Sequence, residues 1–251
     1  MWPAFFFFCT VSFYSGDAMT SISLSHALLQ SGAERYGLSL DFSRISLLER
    51  YFLILSEWNA RMNLVSSRDM DRFVEYHLLD SLKLASCFDF STVRTLLDFG
   101  SGSGLPGIPL AIAFPHIQVT LLDSREKRWR FLSEAVNFLR CQNLTPIRSR
   151  IEELPRSWDS SFDAVTTRAT VGLVEFYLLA NRFLSPSGSL ISIKGNSIEK
   201  EFSLLLSTFD SRFFNIHRVT PVSVPGVRSG QVVMITNNQV INRSNHGEGA
   251  L

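Results

Sequence analysis

The residues best suited to chemistry lie between positions 96 and 123. An apolar segment carries Asp98 and runs into a set of closely spaced glycines: Gly100, Gly102, Gly104 and Gly107. A helix-sized segment follows, and a second apolar segment at 119–123 ends in Asp123. Glycine allows a sharp turn and a close approach of backbone to ligand, so this pattern predicts one βαβ nucleotide-binding unit. Asp123, at the tip of the second strand, can accept hydrogen bonds from two ribose hydroxyls.

Asp98, two residues before the first glycine, distinguishes between cofactors. A dinucleotide loop places a pyrophosphate on a helix N-terminus, where an acid would be a poor neighbour. S-adenosyl-L-methionine has a cationic amino group and no phosphate, so a carboxylate suits it. The pattern predicts this cofactor, with contacts at Asp98, Gly100, Gly102 and Asp123. The alternative is a glycine-rich turn that binds no ligand.

Composition sets the class of protein. The chain has 251 residues, 45% hydrophobic and 19% charged, which fits one α/β domain with an extension. A net charge of +1 does not mark a nucleic-acid binder or an enzyme for acidic substrates. Three widely spaced cysteines make a disulfide framework unexpected, so we expect a reducing, cytoplasmic setting. The five histidines lack metal-ligand spacing, so we expect no metal site.

Four segments are predicted along the chain. We interpret residues 1–18 as a disordered or misassigned leader, with Met19 as an alternative start. A signal peptide is the other interpretation, although the first Lys or Arg is Arg35. Residues 19–90 form a helical extension, 91–237 the cofactor-binding domain and 238–251 a disordered polar tail. The leader is too short to span a bilayer, which takes roughly 20 apolar residues, so no membrane association is expected.

Periodicity predicts the elements that position these residues. In the extension, one helix is capped by Ser43 and a second begins near Ser67. Further helices are predicted at 108–114, at 124–140 with Ser124 as N-cap, and at 171–184. Strands are predicted at 95–99, 119–123, 144–148, 163–167, 189–194, 215–221 and 232–236, with a turn at 186–188 before the fifth. This alternation predicts a mostly parallel sheet with helices on both faces.

In such a sheet the ligand lies beyond the carboxyl ends of the strands, at the switch point. Ile151 and Glu152 follow the third strand and are placed to meet an adenine ring. Arg168 follows the fourth strand, as a cofactor contact or as a structural ion-pair partner. Lys194 ends the fifth strand and is a candidate substrate contact.

Ten short blocks of sequence occur in a fixed order. They are WNARMNL at 58–64, HLLDSL at 77–82, the glycine-rich segment 98–110, LLDS at 121–124, KR at 127–128, FL at 131–132, RIE at 150–152, FD at 162–163, RA at 168–169 and KG at 194–195. In this order they resemble the bacterial small-subunit rRNA guanine-N7 methyltransferases, also called glucose-inhibited division protein B (RsmG/GidB), over roughly residues 40 to 236. The chain departs from that family in its leader and in Phe99, where the family more often has a small residue before the glycine.

The resemblance implies a class I S-adenosyl-L-methionine-dependent methyltransferase: an α/β, Rossmann-like fold with a mostly parallel seven-stranded sheet and an N-terminal helical extension. It implies cofactor contacts at Gly100, Leu105, Ile151, Glu152 and Arg168. The implied reaction is methylation of N7 of a specific guanine in 16S rRNA, and the implied partner is that RNA or the small ribosomal subunit. We expect a monomer in the cytoplasm. Because N7 has a free lone pair, the reaction does not require removal of a proton, and we assign no general base.

An RNA substrate calls for cationic side chains. Seven basic residues at one predicted sheet edge are phosphate-binding candidates or a solvated face: Arg125, Lys127, Arg128, Arg130, Arg148, Arg150 and Arg156. Three aromatic residues either stack on bases or pack in the core: Tyr51, Phe52 and Trp58. Asn63, His77 and Asp80 either line the RNA side or fix the helices to the body. The cofactor loop alone also leaves open a small-molecule methyltransferase. A non-catalytic RNA-binding protein is a third alternative, against which the intact loop with Asp98 and Asp123 argues. Asp98 argues against a nicotinamide oxidoreductase.

Overall fold

The computed structural model describes residues 16–168, 171–195 and 198–237. The predicted tail 238–251 and all but the last three residues of the predicted leader 1–18 lie outside these ranges. The first helix, α1, begins at Gly16 and ends at Arg35, so it crosses the predicted boundary at Met19. Within the described ranges, no helix combines the length and the apolarity needed to cross a membrane.

The described strands form a single sheet of seven, as predicted. Their bounds are β1 Thr95–Phe99, β2 Gln118–Asp123, β3 Leu144–Arg148, β4 Phe162–Arg168, β5 Leu184–Lys194, β6 Phe214–Val219 and β7 Gln231–Asn237. The strand order is β3-β2-β1-β4-β5-β7-β6. The first five strands run parallel, and β7 pairs antiparallel with both β5 and β6. The order reverses between β1 and β4, so the switch point lies at their carboxyl ends.

The helices flank this sheet and fill the N-terminal region. They are α1, α2 Phe42–Met62, α3 Ser67–Met70, α4 Leu79–Leu82, α5 Gly107–Ala113, α6 Glu126–Leu139, α7 Leu173–Ala180 and α8 Glu199–Thr208. A π-helical turn at Val74–Leu78 joins α3 to α4. The prediction of a single helix from Ser67 was wrong, because α3 is one turn long and the chain then continues into the wider π-helical turn. The bounds of α1 were not predicted, although most of it lies in the predicted helical extension, and α8 was not predicted.

Three local predictions were wrong in detail. Asp41, not Ser43, caps α2, and its side chain accepts a hydrogen bond from the Arg44 backbone. Ser124 does not cap α6. The N-cap is Arg125, one residue later than predicted, and its backbone N–H donates to the Asp123 carboxylate. The predicted turn at 186–188 lies inside β5 as a bulge between two residue pairs: Leu184 pairs with Phe162 and Ser189 with Ala164.

Two apolar cores cover the two faces of the sheet. Alternate residues of a strand face opposite sides, so Leu96 of β1 belongs to one core and Leu97 to the other. The first core also contains buried residues of α1, α2, α4, α5 and α6, and the second contains residues of α7 and α8. The helical extension therefore packs into the same core as the cofactor-binding domain.

Candidate active site

The loop after β1 is held against the end of the neighbouring strand. Gly100, Gly102 and Gly104 have φ angles of 72°, 59° and 85°, in the left-handed region that favours glycine. The backbone N–H groups of Gly100 and Ser101 donate to the Leu122 carbonyl oxygen at 2.9 and 3.0 Å. The loop therefore turns at the carboxyl ends of β1 and β2, beside the switch point between β1 and β4.

Asp98 lies beneath this loop and organises it. Its side chain is fully buried, and one oxygen, Oδ2, accepts from the Ser101 hydroxyl and from the Gly107 N–H at 3.0 Å. The Thr166 hydroxyl donates to the other oxygen, Oδ1, at 3.4 Å. Burial raises the pKa of Asp98 to about 6 despite these hydrogen bonds. Its predicted contact with the cofactor amine stays a prediction, because here the carboxylate faces the loop.

Gly107 is required where α5 begins. A Cβ at this position would lie 2.5 Å from Leu121 Cδ2 and 2.6 Å from Asp98 Oδ2. Both distances are shorter than van der Waals contact, so a larger residue would displace the strand or the buried carboxylate. The glycine spacing read from the sequence thus includes one residue needed for close packing.

Asp123 ends β2 and joins the loop to α6. Its carboxylate accepts from the Gly102 N–H at 3.0 Å and from the Arg125 N–H at 2.9 Å. The Arg128 guanidinium lies 3.5 Å from the Gly102-bonded oxygen, Oδ2. Asp123 is therefore at the predicted place, with its carboxylate already bonded within the chain. Its contact with a ribose stays a prediction.

The residues after β3 divide into one buried and one exposed side chain. Ile151 begins a short 3₁₀ turn and packs in the second core, whereas the Glu152 carboxylate is exposed. Leu105, in the glycine loop, is buried in the first core. Among these three, Glu152 is the side chain whose polar atoms are open to a ligand.

Arg168 ends β4 and is tied to the helical extension. Its Nη1 lies 3.0 Å from His77 Nδ1 and 3.4 Å from Asp80 Oδ2. Burial and the neighbouring Arg168 charge lower the pKa of His77 to about 4, so the imidazole is neutral at pH 7 and Nδ1 accepts. The sequence allowed two roles for His77 and Asp80, lining the RNA side or attaching the helices to the sheet. The structure shows the attachment.

Lys194 ends β5 and also bonds within the chain. Its Nζ donates to the Val171 carbonyl oxygen at 2.6 Å and to Glu201 Oε2 at 2.9 Å, and the same Glu201 oxygen accepts from the Leu173 N–H. Lys194 thus links the start of α7 to α8. Its predicted contact with substrate stays a prediction.

The basic residues are only partly paired. Arg130 and Arg148 both contact Glu126, and Arg156 contacts Asp159. Arg125, Lys127 and Arg150 are exposed. This leaves both interpretations, phosphate binding and a solvated face, consistent with the structure.

The three aromatic residues of α2 singled out from the sequence, Tyr51, Phe52 and Trp58, pack rather than face solvent. Tyr51 is fully buried, and its hydroxyl donates to the Ser103 carbonyl oxygen in the glycine loop. Trp58 is half-buried with its ring edge against Phe131 of α6. Sequence reasoning missed the Tyr51 contact, which joins residues 52 positions apart. Asn63 ends α2 in the left-handed conformation, with a φ of 49°.

The donor set at this edge fits S-adenosyl-L-methionine. Carboxylates lie in or at the end of β1 and β2 and just after β3, and the Arg168 guanidinium ends β4. Anionic and cationic groups of this kind suit the hydroxyls, the amine and the carboxylate of that molecule. The described residues include no group of three or more His, Cys, Asp or Glu side chains able to hold a metal ion. The cofactor contacts of Glu152 and Arg168 stay predictions.

Comparison with known proteins finds one family. A family model described as rRNA small subunit methyltransferase G matches residues 44–231. The protein of that name from Chromobacterium violaceum is 37% identical over 206 residues, covering 82% of this chain and 94% of that protein. The one from Stenotrophomonas maltophilia is 38% identical over 210 residues, covering 84% and 93%.

A likeness to solved structures supports the fold. The structure of the mitomycin 7-O-methyltransferase MmcR matches with a TM-score of 0.51 at 17% identity, covering 64% of this chain and 53% of that one. The sheet order and this likeness identify the fold as that of class I S-adenosyl-L-methionine-dependent methyltransferases, as predicted from the sequence.

Proposed function

The chain belongs to the rRNA small subunit methyltransferase G family, and from this premise we propose that it transfers a methyl group from S-adenosyl-L-methionine to N7 of one guanine in 16S rRNA. The observation that carries the proposal is the position of the glycine loop. Residues 100–107 turn beside the switch point of the sheet, next to the strand-end carboxylates, in a chain that matches the family from residue 44 to residue 231.

The cofactor supplies a methyl group on a sulfonium, which is already an activated leaving group. The residues of this chain then need to bind the cofactor and the guanine and to align them. Gly100 brings backbone close to the ligand, Ile151 offers an apolar contact, and Glu152 accepts hydrogen bonds from the nucleoside. Arg168 holds an anionic group at the end of β4.

The reaction makes no demand for a general base. Guanine N7 is a ring acceptor with a free lone pair, so attack requires alignment of nitrogen, methyl carbon and sulfur rather than proton removal. The neutral His77 and the bonded Lys194 fit this requirement, since neither is free to act as a base. Catalysis by position and electrostatics is what this site can provide.

The RNA reaches this edge of the sheet as free 16S rRNA or as part of the small ribosomal subunit. Arg125, Lys127 and Arg150 are exposed there and supply cations for phosphates. We further propose that the protein acts as a monomer in the cytoplasm, where its substrate is made.

The test is methyl transfer from labelled S-adenosyl-L-methionine. Small subunits and their extracted rRNA, taken from cells that lack this modification, are incubated with the purified chain, and the modified nucleoside is identified. Label at guanine N7 is the expected result. Cofactor binding without label in RNA would overturn the proposal in favour of a small-molecule methyltransferase, and RNA binding without cofactor binding would favour a non-catalytic protein.

A further inference from the structure

A cluster of buried charged side chains connects the helical extension to the end of β4. Asp80 of α4 is 3% exposed, and Lys83, which follows α4, is 2% exposed. Lys83 Nζ lies 2.6 Å from Asp80 Oδ1, and Arg168 Nη1 lies 3.4 Å from Asp80 Oδ2. One buried carboxylate therefore faces two cations, one on each oxygen.

His77 fixes the same guanidinium from a second direction. Because Arg168 cannot give up its proton, the 3.0 Å contact requires His77 Nδ1 to accept. The buried Nε2–H then has no hydrogen-bond partner among the described residues, and Asp69 Oδ2 lies 3.9 Å from Nε2, beyond hydrogen-bonding distance. The π-helical turn at Val74–Leu78 brings His77 to this place, three residues before Asp80.

The far side of the cluster reaches the neighbouring strands. A Cβ built on Gly230, just before β7, would lie 3.3 Å from Lys83 Nζ and 2.5 Å from the Lys194 carbonyl oxygen. Lys83 is thus enclosed beside the end of β5, and Asp80 lies between it and the end of β4. The cluster spans the carboxyl edge where the substrate is expected.

We propose that Asp80 is a positioning residue, whose carboxylate holds the Arg168 guanidinium at the carboxyl end of β4 by joining it to the enclosed Lys83. The proposal rests on the proposed function, because that function supplies the ligand that Arg168 would bind. Asp80 acts through Arg168 and touches neither cofactor nor RNA. The helical extension is then part of the machinery that orients the site.

A double-mutant cycle with Arg168→Ala separates positioning from simple stabilisation. Asp80→Asn keeps the shape of the side chain and removes its charge. We expect it to lower the affinity for cofactor or kcat/KM for RNA by roughly tenfold in the parent chain, and to have little further effect once Arg168 is Ala. A structural role alone would cost the same factor in both backgrounds.

Asp80→Asn leaves the buried Lys83 without its partner and can prevent folding. The variant Asp80→Asn with Lys83→Met removes both charges at similar volume and tests the same coupling. Asp163→Asn is the matched control. Asp163 is a hydrogen-bonded carboxylate at the opposite edge of the sheet, where it accepts from the Arg94 and Thr95 N–H groups at 2.8 and 3.1 Å.

Two measurements are made on each full-length variant: calorimetric titration with S-adenosyl-L-methionine, and methyl transfer to unmodified small subunits. Non-additivity of Asp80 and Arg168 in the parameter that Arg168→Ala changes, with an additive Asp163 control, supports the proposal. Additive effects, or no effect of Arg168→Ala on either parameter, overturn it. If the parent chain binds cofactor without methylating RNA, the proposed function fails while the binding cycle still decides the role of Asp80.

Discussion

Replacing Asp98 by Asn should remove a pH dependence of stability between about pH 4 and pH 6. Burial raises the pKa of Asp98 from 3.8 to about 6 in the folded protein. Between these values the folded state binds more protons at this site than the unfolded chain, so the free energy of unfolding falls as pH rises. At about 1.4 kcal/mol for each pKa unit, the difference corresponds to about 3 kcal/mol.

The structure indicates that Asn can replace the carboxylate without breaking the loop. Its amide oxygen can take the place of Oδ2, which accepts from Ser101 and Gly107. Its amide nitrogen then faces the Thr166 hydroxyl oxygen, which can accept. The variant should therefore fold, and its stability relative to the parent chain should rise by about 2 kcal/mol between pH 4 and pH 7, the remainder of the difference appearing below pH 4.

Urea unfolding at several pH values, followed by circular dichroism, measures this difference. The comparison with the parent chain cancels the pH dependence of all other groups. Asp163→Asn is a control of opposite sign. Partial burial raises the pKa of Asp163, but hydrogen bonds from Arg94, Thr95 and Ser185 lower it by a larger amount, so the net effect is a decrease. A constant difference between Asp98→Asn and the parent from pH 4 to pH 7 would refute the reasoning about burial.

Two further predictions concern the packing of the glycine loop. Gly107→Ala would place a Cβ 2.5 Å from Leu121 Cδ2 and 2.6 Å from Asp98 Oδ2, so we expect urea unfolding to show a loss of about 1–3 kcal/mol; an unchanged midpoint would contradict the close approach. Tyr51→Phe removes the hydroxyl that donates to the buried Ser103 carbonyl, so we expect about 1–3 kcal/mol of lost stability. Thermal unfolding tests it, and a variant as stable as the parent would show that the hydrogen bond contributes nothing net.

The central strands and the loop could be predicted because their signals are local. The segment predicted at 95–99 is β1, and the glycines that follow it have the backbone angles that their residue type suggests. The bounds of α1 were not predicted within the helical extension, and α8 was not predicted at all. In α8 only Leu205 is buried, so its place depends on packing against α7 rather than on its own pattern.

The grouping of the strand-end residues was predictable from the sequence, but their side-chain partners were not. Strand ends must meet at one edge of a parallel sheet, so Asp98, Asp123 and Arg168 could be grouped from the sequence. What each side chain contacts depends on residues far along the chain. His77 and Arg168 are 91 positions apart, and Thr166 and Asp98 are 68 apart. No local pattern indicates that Asp98 faces its own loop.

The shared core of the helical extension and the sheet has a consequence for the order of folding. As the chain is synthesised, α1 and α2 leave the ribosome before the strands that complete their core exist. Their apolar faces stay uncovered until β1, β2 and β5 have followed, and β1 cannot pair with β4 until residue 168 has emerged. A nascent chain in this state exposes apolar surface, the condition in which chaperones bind and aggregation begins. The helical extension and the sheet therefore mature together, rather than domain by domain.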